Sequence, residues 1–339
     1  MTTKALVLIA LAALISSACG GSSEAPALPP PSTSGLAATT AAAATTDAAA
    51  TDAAAQTVVA VARPSDDVAH PGSRTEWWYA HAMDPATGRT IIVTLFQAPL
   101  PVVGGFWYTP RAMKRWTGLS LPAAHAGPGT ALQDGSISFV EATQTWQVRA
   151  HTGGYTISFN LTSASPGITA GPLRFGTDAM HWTVPVATST ANGFVITPEG
   201  RRVEIRDWRG YHDHNWGPFS LESDQYRGWE WAVVHEPDGN AALLGGVTPN
   251  DGPFTGVLAR ISPNDTTFCR TSATLSRWTT LAGFRFPQRV AAACDDLSAT
   301  FNVTRPLVAG LTTHALTESV ATTVPGSLGL VEHLARKDS

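Results

Sequence analysis

"RRVEIRDWRGYHDHNWG", residues 201–217, alternates apolar and charged side chains at its start. It then gathers two histidines, an aspartate, an asparagine and two aromatic residues into residues 211–216. A period of two marks a strand whose two faces differ. On such a strand Val203, Ile205, Asp207, Arg209, Tyr211, Asp213 and Asn215 share one face, and His212, His214 and Trp216 share the other. The apolar start of the odd set turns that set inward, so Tyr211, Asp213 and Asn215 are expected to project into a barrel or cleft. Gly210 is where a bulge would break the alternation.

Strand-like segments continue on both sides. "TIIVTLFQ" (90–97), "YTISFNLTS" (155–163), "GWEWAVVH" (228–235), "FTGVLARI" (254–261) and "SATFNVTR" (298–305) are rich in branched and aromatic residues, and turn pairs such as "DG", "NG" and "PEG" separate such runs. No stretch of the folded part carries a sustained 3.6-residue apolar period. The fold class is therefore all-β, an antiparallel barrel or sandwich. GxGxxG after a strand, a GKS/T loop, GxSxG and paired CxxC are all missing, which leaves the common nucleotide, hydrolase and zinc-ribbon readings without support.

The N-terminus reads as an export signal. One lysine precedes an apolar run from Ala5 to Ile15, too short for the ~20 residues of a membrane-spanning helix. Cys19 follows Ser-Ser-Ala, as in a bacterial lipobox, so residues 1–19 are expected to be a lipoprotein signal that leaves Cys19 lipidated and the protein anchored to a bacterial membrane outside the cytoplasm. Residues 20–62, rich in Ala, Thr, Pro and Ser, cannot bury enough apolar surface to fold alone and read as a disordered tether. With Cys19 taken, Cys269 and Cys294 remain as an even pair in an oxidising compartment. A disulfide between them closes a loop of about 25 residues, worth about 3 kcal/mol in the chain-entropy model; two unpaired buried thiols are the alternative. A net charge of −4 supplies no basic field for nucleic acid.

Burial of Asp213 without a cationic partner would push its pKa upward, and a carboxylic acid kept neutral in an apolar pocket can donate a proton near pH 7. On the neighbouring strand Trp229 and Trp231 share a face and could wall the space above it, offering π-faces to a cationic centre. Ordinary core filling is the alternative for each indole. His212 and His214, at i and i+2, could share an ion with His181 or His235, but nothing in the spacing demands it; they are expected to be hydrogen-bonded structural histidines, and neither metal nor cofactor is expected. In "RTEWWYAHAMD" (74–84), Glu76 and Trp78 share one face and Trp77 and Tyr79 the other, and a buried Glu76 would need a partner such as Arg74.

"RTEWWY" at 74–79 and "GYHDHNWG" at 210–217 resemble the two marker motifs of the carotenoid 1,2-hydratase (hydroxyneurosporene synthase, CrtC) and AttH-type superfamily, and more distantly tocopherol cyclases and fungal Diels–Alderases. The resemblance covers about residues 64–335. It implies two lipocalin-like antiparallel β-barrel domains in tandem, at 63–220 and 221–335, with an apolar ligand in the first barrel or where the two meet. It also implies that Asp213, with Tyr211, protonates an isoprenoid double bond, that His181 and Trp182 belong to the same site, and that Trp229, Trp231, Asn215 and Trp78 contact the ligand. The departure from the family is the address, since its carotenoid hydratases serve cytoplasmic pathways. Three functions follow as expectations: acid-catalysed hydration or cyclisation of an isoprenoid or polyene, a non-catalytic carrier or sensor of a hydrophobic ligand, and a pericyclase. The partners expected are a hydrophobic small molecule and the membrane, with the protein a monomer.

Overall fold

The computed structural model describes residues 57–109, 112–281, 284–310 and 314–336, so the export signal, Cys19 and nearly all of the tether lie outside the described residues. Twelve strands form the first sheet: β1 (Val58–Val61), β2 (Thr75–Met83), β3 (Thr90–Ala98), β4 (Val102–Tyr108), β5 (Met113–Leu119), β6 (Gly129–Leu132), β7 (Gly135–Val140), β8 (Thr145–Thr152), β9 (Tyr155–Ser165), β10 (Ile168–Phe175), β11 (Asp178–Ile196) and β12 (Arg202–Gly217). Eight more close into an antiparallel barrel in chain order: β13 (Tyr226–His235), β14 (Ala241–Pro249), β15 (Thr255–Ile261), β16 (Thr266–Leu281), β17 (Phe284–Cys294), β18 (Leu297–Gly310), β19 (His314–Thr322) and β20 (Leu328–Arg336). The helices among the described residues are two single turns of 3-10 type. β1 falls within the stretch read as tether, where its four residues pair with β10.

Alternation explains the first sheet. On β8 and β9, Trp146, Val148 and Ala150 and then Tyr155, Ile157, Phe159 and Leu161 are buried, while Gln147, Arg149 and Asn160 between them are not. The sheet runs β5-β4-β3-β2-β12-β11-β9-β8-β7-β6 and curls around these side chains, so Trp78, Trp107 and Trp116 from its other half join the same core. In β13 the run Trp231 to Val234 is buried throughout, because Ala232 and Val234 point into the closed barrel while Trp231 and Val233 face the first sheet. That interface has its own core, in which Tyr79, Trp182 and Tyr211 pack with Trp231, Leu243 and Leu330.

The alternation of residues 201–217 breaks at Asp207 and not at Gly210. Ile205 pairs with Gly193 but Trp208 pairs with Ala191, so residues 206 and 207 oppose Asn192 alone. Asp207 takes a φ of 54°, and its N–H is satisfied by Asn192 Oδ1 at 3.0 Å. This bulge inverts the faces. Ile205 and Trp208 both enter the core of the first sheet, and His212 and His214 lie on that side against Trp146 and Trp78, whereas Tyr211, Asp213 and Asn215 face the barrel. The odd set therefore faces the core of the first sheet up to Ile205 and, from Tyr211 on, the cleft against the barrel, where Tyr211, Asp213 and Asn215 were expected to project.

Cys269 on β16 and Cys294 at the end of β17 form a disulfide. No helix among the described residues is long and apolar enough to cross a membrane.

Candidate functional site

Asp213 sits at the interface, 2% exposed, where β12 of the sheet faces β13 of the barrel. Tyr211 Oη donates to its Oδ2 at 2.7 Å, Trp182 Nε1 donates to the same oxygen at 3.2 Å, and Asn215 Nδ2 donates to Oδ1 at 3.2 Å. Trp231 Nε1 reaches across from the barrel to Tyr211 Oη at 3.2 Å. Every donor to the carboxyl is uncharged. Burial therefore outweighs the hydrogen bonds from Tyr211 and Trp182, and the pKa rises to about 6. Because Oδ2 already accepts two hydrogen bonds, the proton of the acid form resides on Oδ1.

The carboxyl opens on a cavity of about 40 Å³ lined by both bodies: Trp77, Tyr79, Trp182 and Asn215 from the sheet, Trp229, Trp231, Gly245 and Glu332 from the barrel. Glycine at 245 is required there, because a Cβ would lie 2.4 Å from the Trp182 ring that holds Asp213. A second carboxyl, Glu318, accepts from Tyr108 at 2.7 Å and from Tyr79 at 3.4 Å, and burial lifts its pKa to about 7. Its cross-strand neighbour Glu332 lines the cavity and is raised well above its ordinary value, by burial first and then by the charges of Glu318 and Asp213. Three acids thus converge, and each resists ionisation.

Of the residues singled out from sequence, Asp213, Asn215, Trp182, Trp229 and Trp231 line this cavity and Tyr211 stands behind Asp213, whereas two do not reach it. Trp78 lies on the opposite face of β2, stacked on His214 at 3.9 Å in the core of the first sheet; its neighbour Trp77 takes the cavity position. His181, one residue before Trp182 on β11, points to the other side, where it stacks on Trp216. Strand parity excludes both. Sequence reasoning missed Glu318, Glu332 and Trp77. Glu332 carried a signal, an acid followed by a histidine inside the apolar strand "LGLVEHLAR".

The histidines of the motif have structural work. His212 contacts Tyr79 O at 2.8 Å through Nδ1 and Asp67 at 2.9 Å through Nε2, and His214 lies between Asp67 at 3.2 Å and Glu76 at 3.1 Å. Glu76 is thus partnered by His214 and by His70, and not by an arginine. His70, Glu76 and His214 are the constellation with metal-ligand spacing among the described residues, their ligand atoms within 4.8 Å of one another. Those atoms are already engaged with each other. The two further histidines weighed as ligands lie elsewhere, His235 against His81 at 3.4 Å and His181 against Trp216.

No family model matches the chain, and no curated protein does. Among solved structures the fold is similar to that of a candidate AttH protein from Nitrosomonas europaea, with a TM-score of 0.60 and 16% identity over 80% of this chain and 95% of that one. It is also similar to kievitone hydratase from Nectria haematococca, with a TM-score of 0.51 and 11% identity over 78% of this chain and 90% of that one. At such identities the likeness is one of fold.

Proposed function

We propose that this protein is an acid catalyst acting on an apolar, alkene-bearing substrate of isoprenoid or polyene type, which it hydrates or cyclises at the cavity between sheet and barrel. The observation that carries the reading is Asp213, a buried carboxyl held by uncharged donors in an indole-walled cavity, with a pKa near 6. In the acid form the Oδ1–H bond breaks and the alkene π pair takes the proton, leaving a tertiary carbocation beside the new carboxylate. For hydration, water adds its lone pair to the cation and returns one proton to Asp213. For cyclisation, a second double bond captures the cation and the final C–H proton returns the same way. Either cycle restores the acid.

Supporting features are the aromatic wall, which favours positive charge, and the hydrated product implied by the name of one protein of this fold, kievitone hydratase. Lipid anchoring through Cys19 and action outside the cytoplasm belong to the same proposal, supported by the lipobox-like sequence and by the disulfide.

The test is Asp213→Asn, which keeps size and most hydrogen bonding but has no transferable proton. Turnover of a polyene substrate is expected to fall by about 10² or more with ligand affinity little changed. A variant with full turnover would remove Asp213 from the chemistry. Ligand binding by a parent protein that turns nothing over would favour the carrier reading.

A further inference from the structure

The lining of the cavity is acidic and aromatic without a compensating base. Trp77, Trp182, Trp229 and Trp231 border it together with Asp213 and Glu332, and no lysine, arginine or histidine does. Glu230 borders it too, but its carboxyl turns to the side of Ala232 and Val234 inside the barrel, where Oε1 meets His333 Nδ1 at 2.7 Å. The Glu332 carboxyl lines the space beside the Trp229 indole, which hydrogen-bonds it. Carboxyls crowded in this way oppose one another's ionisation, and a positive charge among them removes that repulsion. Indole faces stabilise the same charge, and together they form the kind of site that selects quaternary ammonium groups.

We propose that the cavity binds a stable organic cation, a quaternary ammonium or protonated tertiary amine headgroup, with Glu332 as its counter-ion and the indoles as its walls. The proposal goes beyond the alkene chemistry and shares only its cavity: Asp213 need not transfer a proton for a cation to bind.

The experiment compares choline with 3,3-dimethylbutan-1-ol, its uncharged isostere with carbon in place of nitrogen. Each is titrated into the full chain at pH 8 and followed by calorimetry and tryptophan fluorescence. Choline is expected to bind about tenfold more tightly than the isostere or better. Glu332→Gln is expected to lower choline affinity about tenfold with circular dichroism unchanged. Equal affinity for the two probes, or no binding of choline at about 50 mM, overturns the proposal. Unchanged choline affinity in a folded Glu332→Gln variant overturns the counter-ion assignment; if that variant does not fold, the ratio measured on the parent chain decides. Choline binding without polyene turnover leaves this inference standing and removes the acid catalyst, whereas turnover without cation selectivity does the reverse.

Discussion

Asp213 is a costly residue for the fold to keep. Its ordinary pKa of 3.8 rises to about 6, so the folded protein holds the proton over a range in which the unfolded chain releases it. The stability lost is complete once the pH exceeds the folded value, and about two pH units of displacement correspond to about 3 kcal/mol. Asp213→Asn should therefore raise the melting temperature at pH 8 and leave it nearly unchanged at pH 4, while turnover collapses. A variant that instead melts early at both pH values would mean that the carboxylate holds the structure together. Tyr211 acts in the opposite direction, since its hydrogen bond lowers the Asp213 pKa. Tyr211→Phe should raise that pKa, and activity that depends on the acid form should then be lost at a higher pH than in the parent. A pH–rate profile that stays in place would separate Tyr211 from the proton.

At the scale of the element, β12 decides which side chains meet the barrel. Strand parity is absolute over a regular run, and a single extra residue reverses it. The bulge at Asp207 lets one strand present Val203 and Ile205 to the core of the first sheet and still turn Asp213 outward. Deleting Asp207 removes the extra residue, and one half of the strand must then present its wrong face: either charged residues enter the core, or Tyr211 and Asp213 do. The deletion is expected to abolish cooperative unfolding, measured by tryptophan fluorescence in denaturant, whereas Asp207→Gly, which suits the positive φ, should fold with equal or slightly higher stability. A deletion variant that melts cooperatively with its site intact would show that the bulge is dispensable.

For the whole molecule, the buried titratable groups set a pH dependence of unusual sign. Asp213, Glu230, Glu318 and Glu332 all have raised folded pKa values, so the stability they allow is full below about pH 4 and is lost as pH rises, for Asp213 through about 6 and for Glu318 through about 7. His81 and His235, facing each other across the interface, are lowered by burial, His235 to about 3; their contribution is full above about pH 6.5 and is lost as pH falls. Between pH 4 and 6.5 the two sets oppose each other, and the four acids outnumber the two histidines. The melting temperature should be higher at pH 5 than at pH 8, and a value that climbs from pH 5 to pH 8 would contradict this balance. Sequence alone determined the parts of this molecule that depend on local pattern. Alternation of branched and aromatic residues made it all-β, two cysteines in one region formed the disulfide, and the Tyr-x-Asp spacing placed Tyr211 and Asp213 on one face. Only the tertiary structure decided what that face meets, because the answer rests on one bulge and on residues over 100 positions away. It brought Glu318 and Glu332 beside Asp213, replaced Trp78 by Trp77, and turned His181 away from Trp182, since a charged side chain is assigned its role by the surface folded against it and not by its neighbours along the chain.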